Sequence, residues 1–115
     1  MRKIQTQDVF KLARIIKQAK AKEEISRIIK EASVEKKDEK ENISEKVGIR
    51  VFLTIMENCS EPAVEEQIYD LFGGIVGITP ETVKTQSLDV TFEQIKQMAA
   101  ENNMMNFFKT AGKLP

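Results

Sequence analysis

The sequence contains no histidine and no tryptophan, and its single cysteine is Cys59. Histidine is the usual proton-transfer group near neutral pH and the commonest metal ligand, so its absence removes the main tool of both kinds of site. One cysteine cannot form a disulfide within the chain. We therefore expect a protein without enzymatic activity, metal or cofactor, and we interpret Cys59 as a packing residue at a helix end.

Long apolar runs are missing as well. No stretch of the chain approaches the roughly 18 consecutive apolar residues that cross a bilayer. The charged N-terminal residues Arg2 and Lys3 are not followed by the apolar segment of a secretion signal. We expect a protein of the cytoplasm with no membrane partner.

Apolar residues instead recur at steps of three and four along most of the 115 residues. This spacing is typical of amphipathic helices, and no strand-like alternation of useful length interrupts it. Residues whose side chains favour helix N-termini predict helix starts at Thr6, Ser44, Ser60, Thr79 and Thr91. The sequence predicts an all-α fold, a small multi-helix domain.

The charges balance overall but are unevenly distributed. Residues 1–33 hold nine basic and four acidic side chains, a net charge of +5, whereas residues 47–101 hold three basic and nine acidic ones, a net charge of −6. Between these regions, residues 34–46 carry nine charges and few apolar side chains. We predict a basic N-terminal helical arm (1–33), a charged flexible linker (34–46) and a C-terminal helical body (47–115).

Opposite charges on one chain suit either docking within the chain or head-to-tail contact between copies. For the second case the predicted oligomer contacts join a basic set to an acidic set: Lys11, Arg14 and Lys17 with Glu65, Glu66 and Asp70. The basic residues also lie along one side of the first helix, where three interpretations stay open. They form an ordinary solvated face, a surface for an acidic protein, or a contact for nucleic-acid phosphates.

The C-terminal segment is the richest in large apolar side chains. Methionine adapts to irregular partners, and phenylalanine supplies a large contact area. Two interpretations remain open, core packing of a last helix or a partner-binding surface. The predicted partner-binding residues are Phe10, Ile16, Met104, Met105, Phe107 and Phe108.

Four segments in this order resemble a known family. They are residues 10–17 (FKLARIIK), 68–74 (IYDLFGG), 79–83 (TPETV) and 107–109 (FFK). With the charged insert before the third helix, they are similar to the small tail assembly chaperones of long-tailed phages and prophages of Gram-positive bacteria.

The resemblance implies a mostly helical, self-associating chaperone that is not an enzyme. Members of that family bind the tape measure protein, keep it soluble and help to recruit tail-tube subunits. They act in the cytoplasm of the bacterial host cell and are absent from the mature virion. The residues alone leave two other hypotheses, a nucleic-acid-binding phage regulator that uses the basic first helix and a helical adaptor of another assembly.

Overall fold

The computed structural model describes residues 1–33 and 40–114, which form seven α-helices and no strand. The helices are α1 (Thr6–Ala19), α2 (Lys22–Ser33), α3 (Lys40–Asn58), α4 (Pro62–Val76), α5 (Pro80–Thr85), α6 (Leu88–Glu101) and α7 (Met104–Lys113). The predicted all-α fold is confirmed. None of these helices is both long and apolar enough to cross a membrane.

The helices close around one hydrophobic core to which every one of them contributes. α3 packs mainly on α6, α2 and α7, while α1 packs on α4 and α7. Among the side chains with almost no exposed surface are Ile15, Ile25, Val47, Val51 and Ile75. The radius of gyration is 13.2 Å, close to the ~13 Å expected of one compact domain of this length.

The N-terminal third of the chain, predicted as an arm, shares this core. The apolar stripes of α1 and α2 are buried against the later helices. Lys11 Nζ lies 3.4 Å from Asp70 Oδ2 on α4, and Arg50 on α3 pairs with Glu31 on α2 at 3.0 Å. The Lys11–Asp70 pair joins the basic region to the acidic one and is an example of docking within the chain, whereas the Arg50–Glu31 pair has the reverse polarity. The boundary predicted at residue 33 does not separate two hydrophobic cores.

The predicted linker 34–46 falls partly outside the described residues. Its last part, from Lys40, is the beginning of α3, so this helix begins four residues before the predicted cap Ser44. The Ser44 hydroxyl accepts a hydrogen bond from Met104 N at 3.3 Å, and it lies 3.5 Å from the carbonyl oxygens of Ala99 and Asn102. Because its hydroxyl binds the junction of α6 and α7, Ser44 joins helices and does not begin one.

Several helix ends differ from prediction by a few residues. α5 begins after Thr79, whose hydroxyl accepts from Thr82 N at 3.1 Å, as predicted. α6 begins after Ser87 and not after Thr91, which is buried one turn inside the helix. α4 ends at Val76 and is followed by Gly77. The φ angle of Gly77 is 92°, a left-handed conformation that glycine adopts without strain.

The residues before α1 are tied across the ends of two other helices. Arg2 N donates to the carbonyl oxygen of Ile75, and Ile4 N donates to Asn102 Oδ1 at 3.1 Å. Both terminal nitrogens of Arg2 donate hydrogen bonds to the carboxylate of Asp8, at 2.6 and 2.9 Å. Asp8 is fully buried. This arrangement fixes the start of α1 over the ends of α4 and α6.

Candidate functional site: an apolar groove between α3 and α4

A groove lies between α3 and α4, near the short connection that joins them. It has a volume of about 260 Å³ and is lined by Phe52 and Met56 from α3, by Cys59 just after it, and by Glu65, Ile68 and Tyr69 from α4. The two helices are consecutive, yet α3 packs mainly on α6, α2 and α7, and α4 mainly on α5 and α1. The groove is the space left between these two packing arrangements.

The spacing of the lining residues gives the groove a regular form. Phe52 and Met56 are four residues apart on one stripe of α3, and Cys59, in the turn that ends this helix, follows three residues later. At a rise of 1.5 Å per residue, these three residues span roughly 10 Å. Met56 is 47% exposed although it is a large apolar residue. The groove therefore offers two turns of apolar surface to the outside.

A small cavity in the core adjoins the floor of the groove. It measures about 70 Å³, and Phe52 and Ile68 line both spaces. The rings of Phe52 and Phe72 meet there, with centroids 6.2 Å apart and planes inclined by 46°. The side chains between groove and core are thus apolar, and unfilled space lies behind them.

The polar groups in the groove create a negative field. The Tyr69 hydroxyl is bonded to the Glu65 carboxylate, and this bond, burial and the nearby acidic charges raise the pKa of Tyr69 to about 12. Burial, with the charges of Glu65 and Glu61, raises the pKa of the Cys59 thiol. Cys59 is half-buried just after the end of α3, and its environment keeps it in the unreactive thiol form.

A second groove lies between α1 and α7 and has the opposite charge. It has a volume of about 220 Å³, and three lysines, Lys17, Lys20 and Lys22, contribute to its walls. Its apolar lining comes from residues such as Ala13 and Leu114. Among the described residues, no acidic side chain forms an ion pair with Arg14 or Lys17, and both are exposed.

Most of the predicted partner-binding residues are in the core. Phe10 is 51% exposed on α1 and remains available, and Met105 is half-buried. Four others are buried in the hydrophobic core: Ile16, Met104, Phe107 and Phe108. A partner does not reach these four without displacing a helix, which corrects their assignment to a surface. Core packing by the last helix is the interpretation that agrees with the structure.

The predicted oligomer contacts are all at the surface or half-buried, and four of them have partners within the chain. Lys11 pairs with Asp70, Glu66 lies 3.9 Å from Lys84, and Glu65 binds Tyr69. Arg14 and Lys17 have the exposure that a contact between copies needs. Contact between copies stays a prediction.

The groove between α3 and α4 contains Phe52 and Met56, which are not among the predicted partner-binding residues. The width of the apolar stripe on α3 is the sequence signal that indicates their exposure. Val47, Val51 and Ile55 already form a complete buried face, and Phe52 and Met56 extend the apolar arc beyond it. An arc wider than one helix face buries indicates an exposed apolar surface.

The described residues offer no alternative site with evident chemistry. No group of three or more Cys, Asp or Glu side chains in this part of the chain is placed to hold a metal ion. Comparison with family models, with curated proteins and with solved structures finds nothing that matches this chain.

Proposed function

We propose that this protein is a tail assembly chaperone of a long-tailed phage or prophage. In this proposal it is not an enzyme. It binds the tape measure protein, keeps it soluble in the cytoplasm of the bacterial host cell and helps to recruit tail-tube subunits, and it is absent from the mature virion. The observation that carries the proposal is the apolar groove between α3 and α4, together with the family resemblance of the sequence.

The groove supports the binding of a polypeptide better than the binding of a small molecule. Small-molecule sites usually measure roughly 300–1,000 Å³ and enclose most of their ligand. The groove is smaller, at about 260 Å³, and lies along a helix. An amphipathic helix laid on such a surface uses side chains spaced three and four residues apart. A long helical client supplies many such segments.

Weak contacts suit this function. Two turns of apolar surface give modest affinity for one segment, and several copies on one long client add avidity through their high local concentration. Because each contact is weak, arriving tail-tube subunits displace the chaperone one copy at a time. We therefore expect self-association or binding side by side along the client.

Co-expression with the tape measure protein encoded in the same phage genome tests the proposal. We expect the soluble fraction of the tape measure protein to rise with the wild-type chain and to fall back with Met56→Lys, which places a charge in the groove. The matched control is Leu88→Lys, at a large apolar residue of similar exposure, 52%, that does not line the groove. No gain in solubility with the wild-type chain would contradict the proposed function.

The same variants distinguish the proposed chaperone from the alternative, a nucleic-acid-binding regulator. That hypothesis requires binding of duplex DNA that weakens steeply as salt is added. It also places the contacts on α1, at Arg14 and Lys17, so Met56→Lys would leave them intact. Tight duplex binding at physiological salt, with no effect of the chain on the tape measure protein, would favour the regulator.

A further inference from the structure

We propose that the groove between α3 and α4 selects helical segments whose apolar stripe is flanked by lysine and arginine. The inference rests on the proposed function and adds the chemistry of the segment that the groove recognises. It is carried by the acidic side chains beside the groove, whose lining residues include no lysine or arginine.

The part of the chain that forms the groove is strongly acidic. Between Arg50 and Lys84 there are six acidic residues and no basic one. Two of the six are compensated by basic side chains from other elements, Asp70 by Lys11 and Glu66 by Lys84. The remaining four are Glu57, Glu61, Glu65 and Glu81, and none of them pairs with a lysine or arginine among the described residues.

Two of these four carboxylates lie at the groove. Glu65 is part of its lining. Glu61 is the residue before α4, and its carbonyl oxygen accepts a hydrogen bond from the Cys59 thiol in the groove at 3.7 Å. Both charges act on the Cys59 thiol inside the groove and raise its pKa, in addition to burial. A cationic side chain at the edge of a bound helix would therefore meet two carboxylates that have no basic partner within the described part of the chain.

A second copy of the chain is a poorer occupant than another protein. Its helix α1 has the right charge, whereas α2 has equal numbers of basic and acidic residues. Apart from the single exposed Phe10 on α1, the apolar residues of both helices are buried or half-buried in their own core. Examples are Ile15 and Ile16 on α1 and Ile25 and Ile28 on α2. A helix that has no uncovered apolar stripe cannot fill an apolar groove without unfolding its own domain. The occupant is therefore a basic amphipathic helix of a different protein.

Two synthetic peptides test the inference directly. Both are helical, with leucine at positions i, i+4 and i+7, and they differ only in flanking residues, lysine in one and glutamate in the other. We expect the lysine peptide to bind about tenfold more tightly in fluorescence anisotropy, because its flanking charges form surface ion pairs with carboxylates that repel the glutamate peptide. We also expect added salt to narrow the difference.

A pair of matched double variants locates the effect. Glu61→Gln with Glu65→Gln removes both charges at the groove and leaves Tyr69 an amide oxygen as acceptor. Glu57→Gln with Glu101→Gln changes the net charge equally at exposed positions that do not line the groove. We expect the preference for lysine to disappear in the first variant and to persist in the second.

Three outcomes would overturn the inference. The first is equal affinity for the two peptides, and the second is a preference that survives in the Glu61→Gln, Glu65→Gln variant. The third is a change in the mass of the protein itself by light scattering when the groove is altered, without loss of peptide binding, since this would make a second copy the occupant. The co-expression experiment tests the chaperone function independently of this inference. If Met56→Lys abolishes the gain in solubility of the tape measure protein, but the peptides show no charge preference, the chaperone function is retained and only this inference is rejected.

Discussion

Replacement of Arg2 by methionine is the most informative test of how the fold is held together. In the wild-type chain, Asp8 has no exposed side-chain surface, and its carboxylate accepts two hydrogen bonds from Arg2 and one from Gln5 N at 2.7 Å. Methionine removes the charge and both side-chain donors but retains an apolar stem of similar length. The variant leaves a buried carboxylate with a single backbone donor.

The expected loss of stability follows from that unpaired charge. Removing one partner of a fully buried ion pair costs about 3–5 kcal/mol. The Arg2 side chain is 30% exposed, so water partly replaces it, and we expect a smaller loss of about 2 kcal/mol at pH 7. For a domain of this size, the midpoint of thermal unfolding should fall by about 8 °C.

The dependence on pH distinguishes the ion pair from simple loss of packing. Burial alone would raise the pKa of Asp8, but hydrogen bonds from Arg2 and Gln5 and the charge of Arg2 outweigh it and lower the pKa. The stability that the charged carboxylate confers is therefore present above its unfolded-state pKa and is lost as the pH falls through the lower folded-state value. Without Arg2, burial raises the pKa of Asp8, and protonation relieves the unpaired charge at mildly acidic pH.

Urea denaturation followed by helical circular dichroism measures both effects. We expect the difference between wild type and Arg2→Met to be largest near pH 7 and to shrink toward about pH 4. Lys3→Met is the matched control, since Lys3 is exposed and forms no ion pair among the described residues. A loss below about 0.5 kcal/mol, the size expected of an ordinary surface change, would refute this account of Asp8, as would a loss that is equal at both pH values.

The same denaturation assay checks two further predictions. Gly73→Ala should destabilise the fold by about 2 kcal/mol, because the added methyl group would lie 2.7 Å from the carbonyl oxygen of Ile78, whereas Gly112→Ala, with no atom within 4 Å, should stabilise α7 by about 0.5–1 kcal/mol. Equal effects of the two changes would contradict the close approach of α4 to the segment before α5. Phe108→Ala should cost about 3–5 kcal/mol and Phe10→Ala less than about 1 kcal/mol, since only the first is buried, and the reverse order would reject the placement of α7 in the core.

Much of the fold follows from local sequence signals. The stripes of α1 and α2 and the Thr79–Pro80 start of α5 are visible in the sequence because spacing and capping act within a few residues. Where two nearby residues both favour a helix start, the local sequence does not decide between them. Ser87 and Thr91 both suit a helix start, and Thr91 is inside α6 because its hydroxyl is bonded to Gln86 Nε2 and its side chain is buried.

The site is harder to predict, because exposure depends on which stripes meet in three dimensions. Met104, Phe107 and Phe108 near the C-terminus are of residue types common in binding surfaces, but α1, α2 and α3 cover them. Phe52 and Met56 are of residue types common in a core, but they line the groove that lies between α3 and α4. Residue type alone does not distinguish these two cases. The relative positions of the helices decide, and those depend on contacts between distant parts of the chain.

The central claim is that the groove between α3 and α4 holds the client polypeptide, and the methionine methyl groups report on it individually. The chain has five methionines, among them Met56 in the groove and Met105, half-buried on α7. We expect titration with a soluble helical segment of the tape measure protein to shift the Met56 methyl resonance in nuclear magnetic resonance spectra and to leave that of Met105 unchanged. A shift of Met105 with Met56 unaffected would place the client on α7 and contradict the account.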